Sequence, residues 1–163
     1  MTRFETKEGH FSCRTAAVLL HEGCIFLQGE PQATTWTLPG GGIELLEPSD
    51  KALKREMQEE LQVDIRIDRL LWVIENFFVS DEDGKAVHSL GFYYLVTPLN
   101  APHLYHLERI FPSIDGERDI VFRWFKLDGL PSLTLYPSFL RAALQSLPLT
   151  VEHRVIIDDD YVV

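Results

Sequence analysis

The chain has 163 residues, of which 45% are hydrophobic and 25% are charged, and its formal net charge at pH 7 is −10. This composition is ordinary for a globular protein, and the length suits one domain over residues 1–163. The acidic balance argues against a nucleic-acid duplex or an anionic membrane as a partner. A small phosphorylated ligand stays compatible, because bound cations can invert the local field.

The first ten residues, MTRFETKEGH, lack the apolar stretch of a signal peptide, and no apolar run reaches the length of a membrane span. Cys13 and Cys24 belong neither to a CxxC motif nor to a Cys/His cluster. This spacing favours reduced thiols in a cytoplasmic protein over a zinc site, and a Cys13–Cys24 disulfide stays an open alternative.

The first half of the chain predicts a hairpin followed by a helix. Residues 15–20 and 25–28 are short apolar runs around a turn, which is typical of a β-hairpin. A loop rich in Gly, Pro and Thr then leads to a helix at 49–62, with Ser49 or Asp50 as its N-cap.

The second half reads mainly as strands. IRIDRLLWVIENFFVS and AVHSLGFYYLVT, separated by the turn-like DEDGK, predict a second hairpin. A long loop at 98–119 precedes the strand IVFRWFKL, the short helix SFLRAALQSL and a final strand in VEHRVIIDDDYVV. Strand pairs mixed with a few helices indicate an α+β or mixed α/β sandwich.

Three carboxylates share one side of the predicted helix. A rotation of about 100° per residue puts Glu56, Glu59 and Glu60 within one arc, directly beside the apolar stripe. Like charges at this spacing repel each other, and Arg55 offsets part of the repulsion by pairing with Glu59 at i+4. A hard divalent cation would offset more, whereas a solvated acidic face is the alternative interpretation.

The glycines before the helix favour the metal site. Gly40, Gly41 and Gly42 allow a tight turn and bring backbone carbonyls towards a cation. A glycine-rich loop alone is a weak signal, but a following acidic helix at a fixed distance makes the combination specific.

With these residues, segment 41–63 resembles the box of the Nudix hydrolase family. The family pattern has a glycine, a glutamate after five residues, then Arg-Glu after seven, and a Glu-Glu pair. The matching positions are Gly41, Glu47, Arg55, Glu56, Glu59 and Glu60. Gln62 stands where the family has a glycine in left-handed conformation, which costs another residue roughly 1 kcal/mol. The departure concerns the C-cap geometry of the helix and removes no ligand.

The resemblance implies an α/β fold of the Nudix type, an α/β/α sandwich with a mixed β-sheet. It implies hydrolysis of the pyrophosphate bond of a nucleoside diphosphate linked to another moiety: ADP-ribose, a nucleotide-sugar or a nucleoside triphosphate. Mg²⁺ would be the cofactor and Mn²⁺ a substitute. The partners would be a small nucleotide and a second copy of the chain, as a homodimer.

The same resemblance implies roles for the box residues. Glu56, Glu59 and Glu60 would ligate the metal, together with a backbone carbonyl of Gly40 or Gly41. Arg55 would orient the carboxylates, and Glu47 would add an outer contact or a further ligand. The general base would be Glu56 or a loop acid, for which the alternatives are Glu117, Glu108, Asp115 and Asp119.

Outside the box the assignments are broader. Arg14 is a candidate phosphate contact, Trp36 is a candidate for stacking on the substrate or for the core, and Gly41 is a candidate substrate-binding residue. Glu75 lies in an apolar strand and predicts a partner such as His88 or a second subunit.

Substrate specificity is expected in the loops 29–38 and 98–119. A catalytically silent Nudix-fold module that binds a nucleotide for regulation is the alternative function. A pure binder, however, has no need of three mutually repelling acids.

Overall fold

The computed structural model describes residues 3–116 and 119–158. The strands are β1 (Arg3–Glu5), β2 (Gly9–Val18), β3 (Leu20–His21), β4 (Cys24–Gly29), β5 (Thr35–Thr37), β6 (Gly40–Gly42), β7 (Asp64–Val79), β8 (Ala86–Leu99), β9 (Phe111–Pro112), β10 (Val121–Lys126), β11 (Thr134–Tyr136) and β12 (Glu152–Ile157). The helices are α1 (Ser49–Leu61) and α2 (Leu140–Ala143), with 3₁₀ turns at Pro102–Tyr105 and Leu127–Ser132. None of the helices within these ranges combines the length and apolar character needed to cross a bilayer.

The strands form two mixed sheets. The first has the order β1-β2-β8-β7-β12, with β6 also paired to β2, and the second has the order β11-β5-β4-β10-β9, with β3 paired to β4. In the first sheet β2 runs parallel to β8 and β12 parallel to β7, while β7 and β8 are antiparallel. The predicted α/β class with a mixed sheet is therefore confirmed.

Helix α1 covers one hydrophobic cluster with its apolar stripe. Leu53 and Met57 are fully buried there, against Phe26 and Phe122 of the second sheet. The stripe predicted from helical periodicity is thus the buried one. A second hydrophobic cluster, separate from the one that α1 covers, contains Trp72 of the first sheet.

The ends of α1 differ in how well they were predicted. Pro48 occupies the N-cap position without a side-chain cap, so the predicted cap by Ser49 or Asp50 is wrong; the Ser49 hydroxyl hydrogen-bonds Tyr94 Oη at 2.7 Å instead. At the other end Gln62 does adopt the left-handed conformation, with φ of 54°. The N–H of Gln62 donates to the carbonyl of Gln58, and the N–H of Val63 donates to that of Met57. Such bonds satisfy the last carbonyls of a helix that ends in a left-handed residue.

The first predicted hairpin is only partly correct. Strand β3 pairs with β4, but β2 pairs with β1, β6 and β8 and belongs to the other sheet. The chain changes sheets around Leu19, which is fully buried. Because β2 is buried on both faces near this point, its apolar pattern does not distinguish a hairpin partner from a distant strand.

The later elements follow the prediction more closely. The second hairpin forms from β7 and β8, and the strands predicted before and after α2 are β10 and β12. Helix α2 is shorter than predicted. The expected loop 98–119 contains a 3₁₀ turn and the short strand β9.

Candidate active site

The glycine segment forms a short strand against β2 and does not make the tight turn predicted for it. Gly40 pairs with Ala16, Gly41 with Thr15 and Gly42 with Arg14. A Cβ at Gly40, where φ is 146°, would overlap the carbonyl oxygen of Thr15, and a Cβ at Gly41 would overlap the carboxylate of Glu56. Gly40 is therefore needed for the close approach of β6 to β2, and Gly41 leaves the space that the Glu56 carboxylate occupies.

Arg55 connects the turn before α1 to the acidic face of the helix. Its Nε and Nη2 each donate to one carboxylate oxygen of Glu47, both at 2.9 Å, in a bidentate pair. Nη1 donates to Glu56 at 2.9 Å and to Glu59 at 3.1 Å, and Nη2 also donates to the carbonyl of Gly42 at 2.9 Å. These contacts hold the guanidinium in one position and orient three carboxylates around it.

The ionisation of these groups reflects the same contacts. The hydrogen bonds from Arg55 lower the pKa of the Glu47 carboxyl, and the pairing with Glu47 raises the pKa of the guanidinium further above its usual range. Burial raises the pKa of the Glu56 carboxyl, although the bond from Arg55 opposes the rise. Of Glu47 and Glu56, it is therefore Glu56 whose charged form is less favoured by its surroundings.

The three helix carboxylates differ in exposure. The Glu59 side chain is 52% exposed and the Glu56 side chain 15%, while Glu60 is buried. Carboxylates next to a glycine backbone are the hard oxygen donors that Mg²⁺ and Mn²⁺ prefer, so the donor chemistry fits such an ion. Within the described ranges, no three acidic, His or Cys side chains lie close enough together to hold a metal ion as a group.

A cavity of about 1480 Å³ opens beside this region. Arg14 and Thr15, the partners of Gly42 and Gly41, belong to its wall, but the helix carboxylates do not. Arg14 is exposed and is the positively charged residue of β2 in the wall of this cavity.

The other predicted residues lie in varied places. Trp36 is buried and packs on Phe125 with ring centroids 4.7 Å apart, which favours the core alternative, and its contact with substrate stays a prediction. Asp119 is exposed and lines the cavity, whereas Glu108 is exposed outside its lining. The loop acid Glu117 lies outside the described residues.

Two further predictions are resolved by distant contacts. Glu75 pairs with His153 of β12 at 2.9 Å, so the predicted partner His88 is wrong; His88 stacks on Phe77 instead. The pairing arises because β12 lies next to β7, far away in sequence. Cys13 and Cys24 are free thiols, so the alternative disulfide is absent.

Sequence reasoning missed a set of polar residues inside the cavity. Ser12, Gln28, Asn76 and Ser89 all contribute to its lining. Gln28, Asn76 and Ser89 lie in predicted strands, whereas Ser12 precedes the first one, which was predicted to begin at residue 15. The pairing that brings them together is set by strand register, which local sequence does not give.

Comparison with known proteins agrees with the geometry. The family model described as NUDIX domain matches residues 11–146. The low-salt glycan biosynthesis protein Agl8 of Haloferax volcanii is 38% identical over 71 residues, which cover 41% of this chain and 46% of that protein. The chain thus matches less than half of the length of that relative.

Solved structures show the same fold. A MutT protein from Bacillus halodurans superposes with a TM-score of 0.60 at 18% identity, over 91% of this chain and 92% of that one. An ADP-ribose pyrophosphatase from Streptococcus suis gives a TM-score of 0.53 at 19% identity, over 88% and 98%. At these identities the likeness concerns the fold alone.

Proposed function

The chain belongs to the NUDIX family, and from that premise we propose that it is a metal-dependent hydrolase of the pyrophosphate bond in a nucleoside diphosphate linked to another moiety. ADP-ribose, a nucleotide-sugar and a nucleoside triphosphate are the candidate substrates. The observation that carries the proposal is the position of Glu56, a mostly buried carboxylate held by Arg55 against a glycine backbone.

In the proposed reaction a water oxygen bonds to one phosphorus, and the bond from that phosphorus to the bridging oxygen breaks. Glu56 accepts the proton of the water, and Arg55 keeps the carboxylate in position through its bond to Nη1. Arg14, exposed on β2 opposite Gly42, would contact the phosphates. Glu117 is the alternative base.

Glu56, Glu59, Glu60 and the backbone of Gly40 would hold a divalent ion, Mg²⁺ or Mn²⁺. Such an ion would neutralise the polyanionic substrate and lower the pKa of the attacking water. Pyrophosphate chemistry needs this charge compensation, because carboxylates alone would repel the substrate.

The test is release of phosphate or mononucleotide from ADP-ribose, nucleotide-sugars and nucleoside triphosphates, with Mg²⁺, with Mn²⁺ and with chelator. Nucleotide-sugars are included because the partial relative is named for glycan biosynthesis. Wild type is compared with Glu59→Gln and with Glu22→Gln, an exposed turn residue on a different part of the surface.

We expect metal-dependent turnover that Glu59→Gln lowers by about two orders of magnitude and Glu22→Gln leaves unchanged. If the protein binds nucleotides but turns over none of these substrates, the proposed hydrolase activity is contradicted and the catalytically silent module is favoured. Glu56→Gln and Glu117→Gln are compared at saturating metal, because Glu56 would also hold the ion; the variant that then loses turnover identifies the base.

The homodimer, the cytoplasmic location and the single domain over residues 1–163 stay predictions. Sedimentation of the purified chain tests the first.

A further inference from the structure

A row of polar side chains crosses three strands on the floor of the cavity. Ser12 of β2 lies opposite Ser89 of β8, and Ser89 lies opposite Asn76 of β7. Ser12 is 8% exposed and Ser89 7%, and all three residues line the 1480 Å³ cavity. Buried polar residues lying side by side on one sheet face are unusual where only apolar packing is required.

These side chains have no hydrogen-bond partners in the part of the chain that the structure describes. Asn76 Oδ1 is buried without a partner, and so is Oε1 of Gln28, which lines the same cavity from the second sheet. No hydrogen bond of the two serine hydroxyls occurs among residues 3–116 and 119–158 either. Folded proteins pair nearly all such groups, because leaving one unpaired is costly.

The row continues the line of the proposed active site. Arg14 is two residues along β2 from Ser12, a step of about 7 Å, and its neighbour in the sheet is Gly91. A Cβ at Gly91 would approach the Tyr93 ring at 2.6 Å, so the glycine makes room for the ring on this face. A substrate whose phosphates contact Arg14 would therefore place its next group over the polar row.

We propose that Ser12, Ser89 and Asn76, together with Gln28, bind the group that the substrate carries beyond its phosphates. The proposal rests on the proposed function and adds the chemistry of that group. Two buried acceptor oxygens require donors, so the group bears O–H or N–H donors, as sugar hydroxyls and the exocyclic amine of a base do. A site built this way discriminates strongly against analogues that lack the donor.

The key variant is Asn76→Leu, which keeps the size of the side chain and removes its polar atoms. If the amide awaits a ligand, the variant loses no protein contact, and its Tm is equal to that of wild type or higher by about 2–4 °C. With the preferred substrate, KM rises about tenfold and kcat changes by less than about twofold. Ser89→Ala is the second variant, and Ser132→Ala, whose hydroxyl bonds Gly129 outside the cavity, is its matched control.

Two analogue series locate the donor. Purine-riboside nucleotides lack the exocyclic amine of adenine, and deoxy-sugar nucleotides lack single hydroxyls. One analogue already lacks the group that the row binds. On that analogue Asn76→Leu should no longer raise KM, since the two changes remove the same contact.

The affinity of metal-loaded protein for the same ligands, measured by calorimetry, tests the polar row independently of the proposed hydrolase activity. Weaker binding to Asn76→Leu in a protein without turnover would support the row and refute only the hydrolase. Turnover in wild type with an unchanged KM in both Asn76→Leu and Ser89→Ala would overturn the row and leave the hydrolase standing. A fall in Tm of Asn76→Leu with unchanged KM would assign Asn76 a structural role instead.

Discussion

Replacing Arg55 by methionine tests whether this side chain organises the site. The change removes the bidentate pair with Glu47, the bond to Glu56 and the bond to the Gly42 carbonyl. The Arg55, Glu47 and Glu56 side chains are each less than a third exposed, so solvent screens these contacts only in part. The bond to Glu59 is left out of the sum, because that carboxylate is mostly exposed.

Breaking a buried ion pair by removing one partner costs about 3–5 kcal/mol, and partial exposure puts Arg55→Met near the lower end, about 3 kcal/mol. For a chain of this size each kcal/mol corresponds to roughly 2–4 °C, so Tm should fall by about 6–12 °C. Part of the loss should be recovered with Mg²⁺ or Mn²⁺, because an ion that binds the folded state restores positive charge among the carboxylates.

The assay is thermal unfolding of wild type and Arg55→Met with and without divalent cation. Arg66→Met is the matched control, since Arg66 also pairs with a neighbouring acid, Asp68, but is 62% exposed. Its Tm should change by less than about 2 °C. A drop in Arg55→Met no larger than in the control would refute the view that this guanidinium organises the carboxylates.

Three other changes follow from the local geometry. Gly41→Ala drives a Cβ into the Glu56 carboxylate and should lower turnover at least about tenfold, whereas Gly129→Ala, which meets no atom within 4 Å, should not; initial rates decide this. Gln62→Gly relieves the left-handed cap and should raise Tm by about 2–4 °C, and an unchanged Tm would mean that the cap is unstrained. The pKa of Glu47 is lowered on folding from its ordinary 4.5, so its contribution to stability is present above that pH and is lost as the pH falls further. The free energy of unfolding, measured between pH 3 and 7, should therefore fall less steeply with decreasing pH in Glu47→Gln than in wild type. An identical pH dependence in the two proteins would contradict the pairing of Glu47 with Arg55.

Features carried by neighbours in sequence were predicted well. The apolar stripe of α1 and the pairing of Arg55 with Glu59 both depend on residues within about one helical turn. The second hairpin was also predictable, because its two strands share one short turn.

Features that depend on pairing between distant strands were not predicted from the sequence. Strand β2 looked like half of a hairpin, yet it runs parallel to β8, and each residue pairs with one 77 positions further along the chain (Gly9 with Ala86, for example). His153 rather than His88 meets Glu75, because β12 returns beside β7. A strand exposes the same alternating pattern to any partner, so its sequence does not specify which strand it joins or in what register.

The acidic helix and the face that its carboxylates share follow from local sequence, because helical geometry is set by hydrogen bonds between near neighbours. The contact of Gly41 with Glu56 and the single row of Ser12, Ser89 and Asn76 depend on the tertiary fold. Those arrangements arise where strands far apart in the chain pair, and that pairing depends on the packing of the whole molecule.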